Sequence, residues 1–92
     1  MVIFDDGRPT HPGVILRGLI HERRVAHKTV AADLGIGEST LSKIITLKAG
    51  VSAAMAIKLE AWDRGYRNTT AKQWMAWQSA FELAQAEERV AA

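Results

Sequence analysis

Apolar residues recur at helical spacing along most of the chain. Ile15, Leu16, Leu19 and Ile20 stand at i, i+1, i+4 and i+5, the spacing of one buried stripe. They predict a first helix from about Pro12 to Arg23, capped by Thr10 or His11, with Pro12 where a missing N–H costs nothing. Val30, Ala31 and Leu34 repeat the spacing after Val25-Ala26 and predict a second helix that Gly35 ends. Leu41, Ile44 and Ile45 define a third, starting at Gly37 or Glu38. Between them Gly35-Ile36-Gly37 reads as a tight turn with Ile36 buried in its corner.

Beyond a loop at 46–50, Val51 is expected as a buried anchor. A fourth helix from Ser52 to about Arg64 then buries Ala56, Leu59 and Trp62 and stops at Gly65. The polar connector Tyr66-Arg67-Asn68-Thr69 leads to a fifth helix, capped by Thr69 or Thr70 and running to about Glu88. Its Trp74, Trp77, Phe81 and Ala84, at i, i+3, i+7 and i+10, form one stripe, a pattern far more often core than ligand box. At the other end Val2-Ile3-Phe4 is too short for a strand by itself, and Asp5-Asp6-Gly7-Arg8-Pro9 reads as a turn. The expected organisation is an arm over 1–9, a helix-turn-helix domain over 10–66, and a last helix over 67–92 packed on it with a frayed end. The arm either frays or pairs across a dimer.

Composition sharpens this. At 92 residues there is room for one core. Ala supplies 15 residues, and both prolines precede position 13, so an all-α domain is favoured. The absence of Cys removes disulfides and thiolate metal sites. No apolar run approaches the ~20 residues of a membrane span, and the N-terminus does not read as a signal peptide, so a soluble cytoplasmic protein is expected. Net charge is only +2 but unevenly spread. Residues 8–48 hold seven bases and three acids, whereas residues 79–92 hold Glu82, Glu87 and Glu88 against Arg89. A basic first half suits a protein that meets a polyanion at one end.

Two short helices joined by a Gly-containing turn are a helix-turn-helix signature, here over His27 to Ile45. Small Ala31 lets the helices cross closely. Advancing about 100° per residue from Glu38 gathers Leu41, Ile44 and Ile45 on one side of the third helix. Glu38, Ser39, Ser42 and Lys43 fill the opposite side, with Thr40 on the far flank. Short polar side chains let such a helix sink into a major groove, where Ser bonds bases and Glu accepts from cytosine N4. His27 and Lys28 open the second helix, where side chains and free backbone N–H groups can meet a phosphate. Thr40 and Lys48 are further phosphate candidates. The plainer alternative is an ordinary bundle whose serines merely face water.

Other chemistry has little support. His11, His21 and His27 lack metal-ligand spacing, so neither metal nor cofactor is expected. No nucleophile sits beside a base and no carboxylates pair in a pocket, so the chain is not expected to be an enzyme. Arg23-Arg24 close the first helix, where the dipole favours cations whatever their function.

From about Val25 to Leu59 the chain resembles the XRE/Cro helix-turn-helix family. From His11 onward it is similar to HigA-type antitoxins of bacterial toxin–antitoxin modules. The resemblance rests on His11-Pro12-Gly13 with Ile15-Leu16, on Ala31, Leu34-Gly35-Ile36, Ile44 and Gly50-Val51-Ser52, and on Trp74-Met75-Ala76-Trp77-Gln78 with Phe81-Glu82-Leu83. It implies an all-α, five-helix, lambda-repressor-like domain that binds a double-stranded DNA operator, represses its own operon and neutralises a HigB/RelE-like ribonuclease toxin. It also implies a homodimer on a palindrome with half-sites about 34 Å apart. Trp77 and Phe81 are candidates for the dimer interface, and the arm and last helix for the toxin contact. Where the family often carries Arg, at the start of the recognition helix and two residues later, this chain has Glu38 and Thr40. Its connector near Tyr66 to Thr70 is longer, and Ala26 replaces the usual polar start of helix two. Two other readings stay open: a stand-alone repressor without a toxin, and an interaction module that has lost DNA binding.

Overall fold

The computed structural model describes the backbone of residues 4–5 and 8 and the whole of residues 9–91. Five helices follow one another: α1 (Pro12–Arg23), α2 (His27–Leu34), α3 (Glu38–Ile45), α4 (Ala53–Trp62) and α5 (Ala71–Ala91). Ahead of them Phe4–Asp5 (β1) and Arg8–Pro9 (β2) pair antiparallel, with Phe4 opposite Pro9 and Asp5 opposite Arg8. The arm therefore folds back on its own chain, and β2 rests against α5. Val2 and Ile3 lie outside the described residues.

His11 caps α1: its Nδ1 accepts from the Gly13 N–H at 2.9 Å. Gly13 lies where α1 crosses α3, and a Cβ there would overlap the carbonyl oxygen of Ile44. His-Pro-Gly is thus a cap, a preset first turn and a bare backbone for a close crossing. The core that follows is Leu16, Leu19 and Ile20 of α1, Val30, Ala31 and Leu34 of α2, Leu41, Ile44 and Ile45 of α3, then Val51, Met55, Ala56 and Leu59, closed by Trp74 and Trp77. The two indoles meet edge to face at 5.0 Å. Ile36, expected to be buried in the turn, is only partly so, because the turn lies at the surface with Gly35 in the left-handed conformation.

The fourth helix ends earlier than the pattern suggests. It stops at Trp62, with Asp63 as its cap residue, and Gly65 (φ +86°) belongs to the turn beyond. Asp63 is fully buried and organises that turn. Its Oδ1 accepts from the Arg67 N–H at 3.3 Å, and its Oδ2 from the Thr69 N–H at 2.9 Å and from the Thr69 hydroxyl. Thr69 Oγ1 in turn accepts from the Trp74 indole at 2.9 Å. An acid at a helix C-terminus opposes the helix dipole, and these bonds offset that cost. Thr70, not Thr69, caps α5. Its hydroxyl accepts from the Gln73 N–H at 3.1 Å, while Gln73 Oε1 accepts from the Thr70 N–H at 2.8 Å, a reciprocal capping box. The helix runs three residues past Glu88, to Ala91.

Candidate nucleic-acid interface

α3 is amphipathic in the sense its function would need. Leu41, Ile44 and Ile45 are 1–5 % exposed and anchor it from behind. Glu38, Ser39, Thr40, Ser42 and Lys43 are all exposed on its other faces. Nothing in the described chain covers the serine-bearing side. Gly37 precedes the helix without a side-chain cap, so the first-turn N–H groups of α3 face outward beside Glu38, whose charge suits that end.

The phosphate candidates are exposed as well. His27 and Lys28 occupy the first turn of α2, whose cap residue Ala26 gives no side-chain hydrogen bond. Lys48 stands exposed in the loop after α3. That loop is fastened to the helix: the N–H groups of Lys48 and Ala49 both donate to the Lys43 carbonyl, at 2.8 and 3.1 Å, and the Thr46 hydroxyl donates to the Ser42 carbonyl at 2.6 Å. From the other side Gln78 of α5 holds it. Gln78 is buried beside Gly50, accepts from the Val51 N–H at 2.8 Å and donates to Glu82 at 3.0 Å. Gly50-Val51-Ser52 and Gln78 stand far apart in the sequence. Their contact spans 27 positions, and no local signal joins them.

Trp77, expected with Phe81 at a dimer interface, is 5 % exposed and its ring is committed to Trp74. What remains of it lines a 530 Å³ apolar cleft with Val14, Ile15, Gly18 and Leu19 of α1. Phe81 keeps an exposed side and meets His11 edge to face at 4.7 Å. Arg23 is occupied within the chain: it lies 4.2 Å over the Trp62 ring, 5.0 Å from the Tyr66 ring, and donates to the Trp62 carbonyl. Nearby, Arg67 pairs with Glu22, which raises its pKa through hydrogen bonding and charge and ties the connector to α1. Burial pushes the His11 imidazole below its ordinary value.

A short Gly-turned helix pair with an outward polar second helix, set in an all-α bundle, defines a helix-turn-helix protein. No family model matches the chain. It is 31% identical over 83 residues to virulence-associated protein A' of Dichelobacter nodosus, covering 90% of this chain and 70% of that protein. It is 33% identical over 79 residues to the HTH-type transcriptional regulator YddM of Escherichia coli (strain K12), covering 86% and 80%. Its fold matches the Pseudomonas aeruginosa antitoxin HigA, solved with the higBA promoter, with a TM-score of 0.80 and 35% identity over 89% of this chain and 86% of that one. A second Pseudomonas aeruginosa structure, in complex with its operator DNA, matches with a TM-score of 0.77 and 36% identity, covering 86% and 84%. The chain belongs to the HigA-type antitoxins of the XRE helix-turn-helix kind, a family of regulators and not of enzymes.

Proposed function

We propose that the chain binds an operator in duplex DNA as a homodimer, represses its own operon, and neutralises a HigB/RelE-like ribonuclease toxin. The observation that carries the DNA reading is the uncovered face of α3, held rigid by the three buried side chains behind it. In a major groove, Ser39 and Ser42 bond base edges, Glu38 accepts from cytosine N4, and Lys43 donates to guanine O6 or N7. His27, Lys28, Thr40 and Lys48 take phosphates and set the register. Glu38 and Thr40 replace two cations with an acceptor and a hydroxyl, so the operator differs in base preference from those read by arginines at these positions. DNA-bound HigA among the solved relatives supports this reading.

The toxin reading rests on family membership. A gel shift on the chain's own promoter, repeated at rising salt, tests the first part, because phosphate-driven binding must weaken as salt rises. Co-elution with the product of the adjacent small reading frame tests the second. Binding to promoter without co-elution would make the chain a stand-alone repressor, and failure to bind duplex DNA at low salt would contradict the proposal.

A further inference from the structure

We infer that Arg17 and Arg24 of α1 hold phosphates of the duplex whose major groove receives α3, a backbone contact beyond those of α2 and the loop after α3. The inference rests on the DNA reading of α3 and adds two residues which that reading does not use.

α1 carries its charges on two separate flanks. At about 100° per residue, Val14, Gly18 and Glu22 share the flank that lines the apolar cleft against the connector. There Glu22 is already paired with Arg67. Arg17 lies about 40° from Gly13, on the flank that crosses α3 at Ile44, and His21 about 80° from it. Arg24 follows the last turn of α1 and stands three residues before His27, which opens α2. Arg17 and Arg24 are both exposed, about 10 Å apart along the helix axis at 1.5 Å per residue. With exposed Lys28 in the first turn of α2, positive side chains run from the α3 crossing to the start of α2, and Glu22 is turned away from them.

This charge is not neutralised inside the chain. Arg23, Arg64 and Arg67 are each tied to an aromatic ring or a carboxylate. Arg17 and Arg24 have no ion pair, side-chain hydrogen bond or ring contact among the described residues. Arg24 also sits at φ +54°, in the left-handed region. The non-glycine residues found there among the described ones are Arg24, Leu47 and Asn68, and of these types asparagine alone enters it readily. The turn does not require an arginine: the Arg24 N–H closes α1 by donating to the Ile20 and His21 carbonyls, and glycine would make those bonds with less strain. The dipole of α1 favours a cation at Arg24 but does not reach Arg17, two turns upstream. A guanidinium grips phosphate oxygens through two N–H groups at once. A line of one sign, on the flank shared with α3 and the start of α2, matches a phosphate strand beside the groove that α3 enters.

The test is a binding titration of the full chain on its own promoter and on a scrambled duplex, repeated over a series of salt concentrations. Arg17→Gln with Arg24→Gln should weaken binding to both duplexes by about tenfold or more at about 0.1 M salt, and should lower the slope of log K against log salt by about two. The ratio of the two affinities should stay at the wild-type value, because phosphate contacts carry no sequence information. Both residues are exposed, so the urea midpoint should stay near wild type. Arg17→Lys with Arg24→Lys, which keeps the charges, should recover most of the slope. A Gln variant with the wild-type slope, or a Lys variant with the slope of the Gln variant, would overturn this contact and leave the α3 reading in place. Lost co-elution with the product of the adjacent reading frame at an unchanged slope would also overturn it, by giving the two arginines to a protein partner. A wild-type chain that binds neither duplex at low salt would overturn the DNA reading itself.

Discussion

At the scale of single residues, the least substitutable positions are those that do two things at once. His11 caps α1 through Nδ1 and supports Phe81 with its ring, and the cap needs the neutral imidazole, because Nδ1 must keep its lone pair to accept from Gly13. Its pKa is lowered in the fold, so the unfolded chain takes up a proton first as pH falls. Stability from this group is therefore complete above the ordinary His value of about 6.5 and is lost as pH drops below it. Urea midpoints should fall between pH 7.5 and 5.5, and His11→Asn, which keeps an acceptor at the cap, should flatten that fall. Gly13→Ala would drive a Cβ into the Ile44 carbonyl, where backbone has to move. A loss of about 1–3 kcal/mol is expected in the same titration, the range for overpacked sites. These pairings explain why the motif His-Pro-Gly was visible in sequence while its reason was not. The cap is local, but the crossing involves Ile44, far along the chain. Asp63 and Leu47 carried no signal at all, since burial of an acid and a left-handed leucine both follow from tertiary context.

Elements were the most legible scale. The apolar stripes located all five helices, because a 3.6-residue repeat depends on the chain alone. Ends were less legible. α4 stops at Trp62 because Asp63 turns its carboxylate to amides beyond the helix, and Thr70 caps α5 because Gln73 answers it. The inward and outward sides of α3 came directly from helical geometry, so its two sides should respond differently to substitution. Leu41→Ala should cost about 2–5 kcal/mol, as buried truncations do, read as a drop in the urea midpoint. Ser39→Ala with Lys43→Ala should leave stability near wild type, since both residues are exposed. Gln78→Leu should cost about 1–3 kcal/mol by stranding the Val51 N–H, and should loosen the loop behind α3. Faster amide exchange at Val51 would report it.

For the whole molecule, the spread of charge along the chain bears on function. The basic first half contains α2 and α3, and the acids of the last turns of α5 lie at the other end of the chain. Each Lys–phosphate contact should contribute about one unit to the slope of log K against log salt. Lys28→Ala is therefore expected to weaken binding to operator and to random duplex alike, with a slope smaller by about one.

The most direct test is operator selectivity, measured as the ratio of affinities for the chain's own promoter and a scrambled duplex at one fixed salt concentration. The account predicts that Ser39→Ala with Lys43→Ala lowers that ratio by about 10-fold or more, as lost base contacts do, with helicity unchanged. A ratio equal to that of the wild-type chain would contradict it, because α3 would then not be the surface that reads DNA.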